Sequence, residues 1–287
     1  LDWVDLAGTL KATWGDAPAG AKEIRVSLHA HIHRGWSMDY QGLPPADVYL
    51  MCEPDVAVPM LLESVRARPA AVQPKRESFQ EKDEAVSIRA LARTFNEHTE
   101  GMDICLSKLP LGWNGSYRHF RHPLDYLGAD GGGGVGAGPG LTVGAALALK
   151  GSGRMVVGIM GDGDYLMGVT ALWTAAHYKT PCLMLVANNR SFYNDEMHQE
   201  RVARERGRPV ENKWIGQRID EPDIDLAAMA RAQGAIGIGP VKELGQLRSA
   251  LSQALNHVKS GEVCVVDVRV VPGYDSPMSG AATPTRR

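Results

Sequence analysis

The feature that most constrains this sequence is its alternation of apolar runs with amphipathic helical patterns. Three of the apolar runs, at 155–160, 182–186 and 263–270, are continuous, as is typical of strands buried on both faces. This alternation predicts an α/β fold, a doubly wound parallel sheet with helices on both faces. The remaining predicted elements are a strand at 103–106 and helices over 84–98, 140–150, 168–179, 223–234 (capped by Asp223) and 241–259.

Composition divides the chain into four segments. Residues 1–66 contain two short strand patterns, at 24–28 and 47–51, which are too few for a complete domain. Residues 67–83 are rich in Pro, Gln, Lys, Arg and Glu without either periodicity, and we interpret them as a linker. Residues 84–271 carry the α/β pattern, and 272–287 are small and polar, as expected of a mobile tail.

Charge and hydropathy exclude several classes of function. The formal net charge is −2 and the basic residues are scattered, so we expect no nucleic-acid partner. The apolar runs are shorter than the ~20 residues that cross a bilayer, and no signal peptide opens the chain. These features predict a cytoplasmic protein that does not enter a membrane. Four dispersed cysteines are interpreted as free thiols.

Two of the predicted strands end in unusual polar sequences. The run at 155–160 is followed by Gly161-Asp162-Gly163-Asp164, and the next strand by Asn188-Asn189-Arg190-Ser191. Because the carboxyl ends of parallel strands meet at one edge of a sheet, we expect Asp162 and Asn189 to lie close together. A carboxylate, an amide oxygen and a backbone carbonyl form the hard-oxygen set that suits Mg²⁺.

At these residues the sequence resembles a known family. Gly161-Asp162-Gly163, followed by a helix, a strand and Asn188-Asn189, is similar to the signature of thiamine-diphosphate-dependent enzymes. The stretch at 170–189 most resembles the benzoylformate decarboxylases, with the acetolactate synthases as close relatives. The resemblance implies that 84–271 form the C-terminal, cofactor-binding half of such an enzyme. It also implies, more weakly, that 1–66 are the C-terminal part of a central α/β domain.

The resemblance implies a role for individual residues on both strand ends. The side chains of Asp162 and Asn189, with the carbonyl of Ser191, would bind Mg²⁺. Backbone N–H groups near Gly163, Asp164 and Phe192 would reach the diphosphate of thiamine diphosphate.

The glycine-rich run at 131–136 is implied to hold the aminopyrimidine of the cofactor. The carbonyl of Gly133 would accept a hydrogen bond from its amine, and Val135 would support the bent cofactor. The same run also fits a dinucleotide-binding fingerprint, but residues 125–130 are a poor match to the strand that should precede it.

Several positions depart from the family pattern. Asp164 stands where a small or hydroxyl residue is usual, and its carboxylate would weaken a diphosphate site unless it turns away. Asp195 occupies the position of an active-site glutamate in pyruvate decarboxylases. We therefore regard Asp195 and Glu196 as candidate catalytic acids, with a solvated helix start as the alternative.

These features together predict a thiamine diphosphate- and Mg²⁺-dependent lyase or carboligase that acts on 2-oxo acids or aldehydes. Nothing in 1–130 resembles the pyrimidine-binding domain, which carries the glutamate that activates the cofactor. We therefore expect that domain on a separate chain or fragment, and a homodimer or tetramer of the complete enzyme. Two alternatives are a non-catalytic thiamine diphosphate-binding subunit and a β-subunit of a 2-oxo acid oxidoreductase.

Overall fold

The structure, a computed structural model, describes residues 22–29, 45–65, 85–128 and 134–273. The described residues up to 65 belong to one compact unit and those from 85 onwards to a second. The predicted linker at 67–83 lies outside the described residues, as does the predicted tail beyond residue 273.

The described residues of the first unit form two short strands and one helix. Strand β1, Ile24–Val26, pairs in parallel with β2, Val48–Leu50, and helix α1, Pro54–Ser64, follows. Both strands lie where the sequence predicts them. Their assignment to a central domain stays a prediction.

The second unit is built on a five-stranded sheet in which every neighbouring pair is parallel, in the order β3-β4-β5-β7-β6. The predicted parallel α/β architecture is confirmed. The strands are β3 (Ile104–Lys108), β4 (Met155–Gly161), β5 (Cys182–Asn188), β6 (Ile236–Val241) and β7 (Val263–Arg269).

Helices cover both faces of this sheet because alternate strand residues point to opposite sides. The helices are α2 (Ile88–His98), α3 (Ala137–Ala148), α4 (Asp162–Gly168), α5 (Ala171–His177), α6 (Tyr193–Glu205), α7 (Leu226–Ala232) and α8 (Leu244–Lys259). On β4, Val157 and Ile159 face the core under α2 and α8, while Val156 and Met160 face the core under α3 and α7. No helix among the described residues is long and apolar enough to span a bilayer.

Three local expectations need correction. The helix predicted at 168–179 is α5, and a separate short helix, α4, precedes it. The helix predicted to begin at Asp223 is capped by Asp225, whose carboxylate accepts a hydrogen bond from the Ala228 N–H at 2.7 Å. Strand β6 was not predicted, because two glycines and a proline interrupt its apolar pattern.

Helix α3 lies unusually close to β4 at one glycine. A Cβ atom on Gly158 would be 2.1 Å from the Thr142 hydroxyl oxygen, so only glycine fits there without a shift of the helix. The Thr142 hydroxyl also donates a hydrogen bond to the Gly138 carbonyl and contacts Ser107. The start of α3 is therefore fixed against β4 and β3.

We predict that Gly158→Ala lowers the free energy of unfolding by roughly 1–3 kcal/mol, because the added methyl group overpacks the α3–β4 contact. Gly140→Ala is a matched control in α3, since a Cβ atom there meets no atom within 4 Å. It should leave stability unchanged or raise it by up to about 1 kcal/mol. Urea denaturation followed by circular dichroism measures both, and equal stabilities would contradict the packing argument.

Candidate functional site

The carboxyl ends of β4 and β5 meet as the sequence predicts. Gly161 is paired with Ala187 across the two strands, so the segments that follow them leave the sheet at the same edge. Asp162 is the first residue of α4, and Asn188 is the last residue of β5. Both polar sequences therefore lie at the same edge of the sheet.

The Ser191 N–H joins two of the predicted metal ligands. It donates to Asp162 Oδ2 at 3.1 Å and to Asn189 Oδ1 at 3.0 Å. A carboxylate oxygen and an amide oxygen that share one donor must lie side by side. The structure thus brings together Asp162, Asn189 and Ser191, the three residues of the predicted Mg²⁺ site.

A strained turn produces this convergence. Arg190 has a φ of 58°, a left-handed conformation that is uncommon outside glycine. Its N–H donates to Asn188 Oδ1 at 3.1 Å, which holds the turn. The side-chain amide of Asn188 donates a hydrogen bond to Asp267 Oδ1 on β7 at 2.8 Å, which fixes Asn188.

Asp162 is a buried carboxylate with a perturbed pKa. Its side chain is 2% exposed, and burial raises the pKa from an ordinary 3.8 to about 6. Hydrogen bonds from the N–H groups of Gly163 and Ser191 oppose this rise. The charged form is therefore poorly solvated, and a bound cation would stabilise it.

The segment 190–192 is tethered from outside by residues 217–219. The Phe192 N–H donates to the Gln217 carbonyl at 2.9 Å, and the Ile219 N–H donates to the Arg190 carbonyl at 2.8 Å. Ser191 is the non-hydrogen-bonded position of this antiparallel bridge. Its own N–H and C=O groups therefore point away from 217–219, towards the side on which Asp162 lies.

The Ser191 side chain has a different partner from its backbone N–H group. Its hydroxyl donates to Glu196 Oε1, and the same oxygen pairs with the Arg218 guanidinium at 2.9 Å. Ser191 and Glu196 are both buried, so their hydrogen bond is shielded from water, whereas the Arg218 side chain is exposed. Asp195, the other candidate acid, is exposed in the first turn of α6.

Gly163 and Phe192 lie in contact. A Cβ atom on Gly163 would be 2.2 Å from the Phe192 ring, so a side chain at 163 would displace that ring. Since the Phe192 N–H already donates to the Gln217 carbonyl, the ring is the part of Phe192 that adjoins Gly163, one of the predicted diphosphate contacts. Whether either residue contacts a cofactor stays a prediction.

The Asp164 carboxylate turns towards the start of α3. Its Oδ1 accepts hydrogen bonds from the N–H groups of Gly136, at 2.6 Å, and Gly138, at 3.0 Å. Lys108 lies 3.9 Å from the other carboxylate oxygen. The Asp164 carboxylate thus turns towards α3, as is required if its charge is not to weaken the predicted diphosphate site.

The glycine-rich segment is described in part. Gly133, the predicted aminopyrimidine contact, lies outside the described residues, and Val135 is 52% exposed. A 3₁₀ turn at Pro123–Asp125 and a single bridge at Tyr126 precede this segment. They do not form the strand that a dinucleotide-binding loop follows.

Sequence reasoning missed three partners of the site: Asp267, Arg218 and Lys108. Asp267 was detectable in principle, because it is the one acidic residue within the apolar run at 263–270. Burial raises its pKa, and its Oδ2 has no hydrogen-bond partner among the described residues. Arg218 and Lys108 carried no comparable signal, since each is far in sequence from the residue it contacts.

The oxygen ligands of this site suit a hard cation and the phosphates that such a cation binds. Asp162 and Asn189 offer oxygen atoms, and each oxygen keeps a lone pair beyond the one used by Ser191. The described part of the chain has no cluster of three His, Cys, Asp or Glu residues suited to a metal. A cation here would draw on amide and backbone oxygens as well as the one carboxylate, as Mg²⁺ sites that share substrate phosphates do.

Comparison with known proteins identifies the family. A sequence model of thiamine pyrophosphate enzymes, C-terminal TPP-binding domain, matches residues 110–268, which is more than half of the chain. The chain belongs to this family. Thiamine pyrophosphate is the same compound as thiamine diphosphate, and the matched region contains Asp162, Asn189 and Ser191.

Two curated relatives match part of the chain. The chain is 33% identical over 131 residues to benzoylformate decarboxylase of Pseudomonas aeruginosa, a match that covers 43% of this chain and 21% of the relative. It is 29% identical over 154 residues to the acetolactate synthase isozyme 3 large subunit of Escherichia coli, covering 54% and 25%. The chain thus spans about a quarter of the length of these curated relatives.

Solved structures share the fold. The thiamine diphosphate-dependent 4-hydroxybenzoylformate decarboxylase of Rhodococcus jostii matches with a TM-score of 0.64 at 22% identity, covering 80% of this chain and 41% of that one. Benzoylformate decarboxylase of Polynucleobacter necessarius matches with a TM-score of 0.61 at 21% identity, covering 79% and 42%. At this identity the likeness supports the architecture alone.

The buried carboxylate predicts a pH-dependent stability in metal-free protein. Because the folded-state pKa of Asp162 is about 6, against an ordinary 3.8, the folded chain binds this proton more tightly than the unfolded chain. Wild-type stability should therefore rise relative to Asp162→Asn as the pH falls from above 6 to about 4. The full change should be roughly 2–3 kcal/mol.

Urea denaturation in the presence of a chelator, at several pH values between 8 and 4, measures this difference. Asp103→Asn is the control, because Asp103 is exposed just before β3. A difference between wild type and Asp162→Asn that does not change with pH would contradict the burial argument.

Proposed function

We propose that this chain is the diphosphate- and Mg²⁺-binding half of a thiamine diphosphate-dependent enzyme that breaks or forms carbon–carbon bonds in 2-oxo acids. The observation that carries the proposal is the shared Ser191 N–H, which holds Asp162 Oδ2 and Asn189 Oδ1 side by side. Membership of the TPP-binding family supports the identity of the cofactor.

The proposed cation ligands are the side chains of Asp162 and Asn189 and the carbonyl of Ser191. The direction of the Ser191 backbone groups, away from residues 217–219, supports its place in this set. The raised pKa of Asp162 supports it further, because a buried carboxylate with this environment favours a neutralising partner. Gly163 keeps its proposed place beside the diphosphate, and the Phe192 ring fills the space that a side chain there would need.

When bound, thiamine diphosphate supplies an electron sink for cleavage of the bond next to a carbonyl group. The residues of this chain would then hold and orient the cofactor and supply protons. Glu196 is already bound to Ser191 and Arg218, so we propose that it holds the Ser191 segment in place. Asp195, exposed at the start of α6, keeps the proposed role of proton donor.

A complete active site would need further protein. The matched regions are only 21% and 25% of the curated relatives' lengths, which supports a contribution from a domain outside this match. We propose that a pyrimidine-binding domain outside the matched region completes the site. The relatives' names favour a 2-oxo acid substrate.

Cofactor binding tests the proposal directly. In calorimetric titration, the wild type should bind thiamine diphosphate in the presence of Mg²⁺ and lose this binding in chelator. Asp162→Ala should weaken Mg²⁺-dependent binding by on the order of a hundredfold or more, because it removes the charged ligand. Asp103→Ala should bind like the wild type, and unchanged binding by Asp162→Ala would contradict the assigned site.

Turnover separates an enzyme from a binding subunit. Carbon dioxide release from benzoylformate and other 2-oxo acids should be measured on the protein isolated with any polypeptide that accompanies it. Release that requires both Mg²⁺ and thiamine diphosphate supports the enzyme. Tight cofactor binding without turnover would instead indicate a non-catalytic subunit.

A further inference from the structure

The carboxylate of Asp164 joins two segments that the proposed function assigns to different parts of one cofactor. Asp164 follows directly on Gly163, one of the proposed diphosphate contacts at the start of α4. Its Oδ1 accepts hydrogen bonds from the N–H groups of Gly136, at 2.6 Å, and Gly138, at 3.0 Å. Those two residues follow Val135, the predicted support of the aminopyrimidine.

The backbone around this carboxylate is too tightly packed to move freely. A Cβ atom on Gly138 would lie 2.6 Å from Asp164 Oδ2, and one on Gly168 would lie 2.4 Å from the Gly136 carbonyl oxygen. Gly136 itself has a φ of 98°, which favours glycine. The start of α3 and both ends of α4 are therefore in direct contact.

The charge of Asp164 is balanced where it lies. The residue is only 9% exposed, and its carboxylate faces the N-terminus of the 12-residue helix α3, where a negative charge is favourable. The Lys108 ammonium group lies 3.9 Å from Oδ2. Hydrogen bonds from backbone N–H groups to a carboxylate are of the stronger, charge-assisted type.

We propose that Asp164 is a positioning residue, which fixes the segment 134–138 relative to the start of α4, the proposed diphosphate site, and so prepares the aminopyrimidine part of the site. This inference rests on the proposed function. It assigns the Asp164 carboxylate no contact with the cofactor. Its effect on binding passes through Gly136 and Gly138.

Two ligands separate this role from a general loss of structure. Thiamine diphosphate engages both parts of the proposed site, whereas inorganic pyrophosphate with Mg²⁺ engages only the diphosphate part. Asp164→Ala should raise the Kd for thiamine diphosphate by about tenfold, the effect of losing one charge-assisted interaction. Its Kd for Mg²⁺-pyrophosphate should stay within about twofold of the wild-type value.

Hydrogen exchange provides a readout independent of the cofactor. The amides of Gly136 and Gly138 should exchange faster in Asp164→Ala than in the wild type, because they lose their acceptor. Asp164→Asn keeps one acceptor oxygen without the charge, so its exchange rates and its affinity for thiamine diphosphate should lie between those of the other two proteins.

The outcomes distinguish the two proposals. If the wild type binds both ligands and Asp164→Ala weakens both equally, the positioning role is wrong while the proposed function stands. Tighter binding of pyrophosphate by Asp164→Asn, with unchanged exchange at Gly136 and Gly138, would show that Asp164 repels the diphosphate and would also overturn the positioning role. A wild type that binds neither ligand would contradict the proposed function itself, and this inference with it.

Discussion

The parallel pairing of β4 with β5 is the constraint on which the site depends. It places Gly161 opposite Ala187, so that Asp162 and Asn189 leave the sheet together. The pairing is stabilised from both faces, because alternate residues of the two strands enter the two separate cores. A slip of one residue would exchange the faces of the strand and move each set of side chains into the other core. The packing of the two cores therefore also fixes the position of the site.

The sequence predicts the strands and the strand ends that follow from its hydrophobic pattern. Continuous apolar runs identify β4, β5 and β7, and the position of Asp162 and Asn189 at strand ends follows from parallel pairing alone. Strand β6 escapes prediction because its residues from Ile236 to Val241 include two glycines and a proline, and pairing with β7 outweighs their poor strand propensity. Helix α4 escapes because its seven residues are too few to show a helical period.

The contacts around the site are less predictable because they join distant parts of the chain. Asn188 donates a hydrogen bond to Asp267 on the neighbouring strand β7, and Glu196 pairs with Arg218, which is distant in the sequence. Periodicity does not encode which acidic residue meets which partner, and only the fold decides it. The structure nonetheless gives these contacts one common effect: Asn188, Glu196 and Arg218 all hold the segment that ends at Ser191.

Two carboxylates beside one proposed diphosphate would ordinarily oppose anion binding, and their surroundings resolve this difficulty differently. Asp162 is buried with a raised pKa and with acceptor capacity left over, which suits a cation ligand. Asp164 has its charge met by two N–H groups of α3 and by nearby Lys108. One carboxylate is thus available to a metal and the other is used within the fold. This division explains how a sequence with aspartate at both positions remains compatible with the proposed diphosphate site.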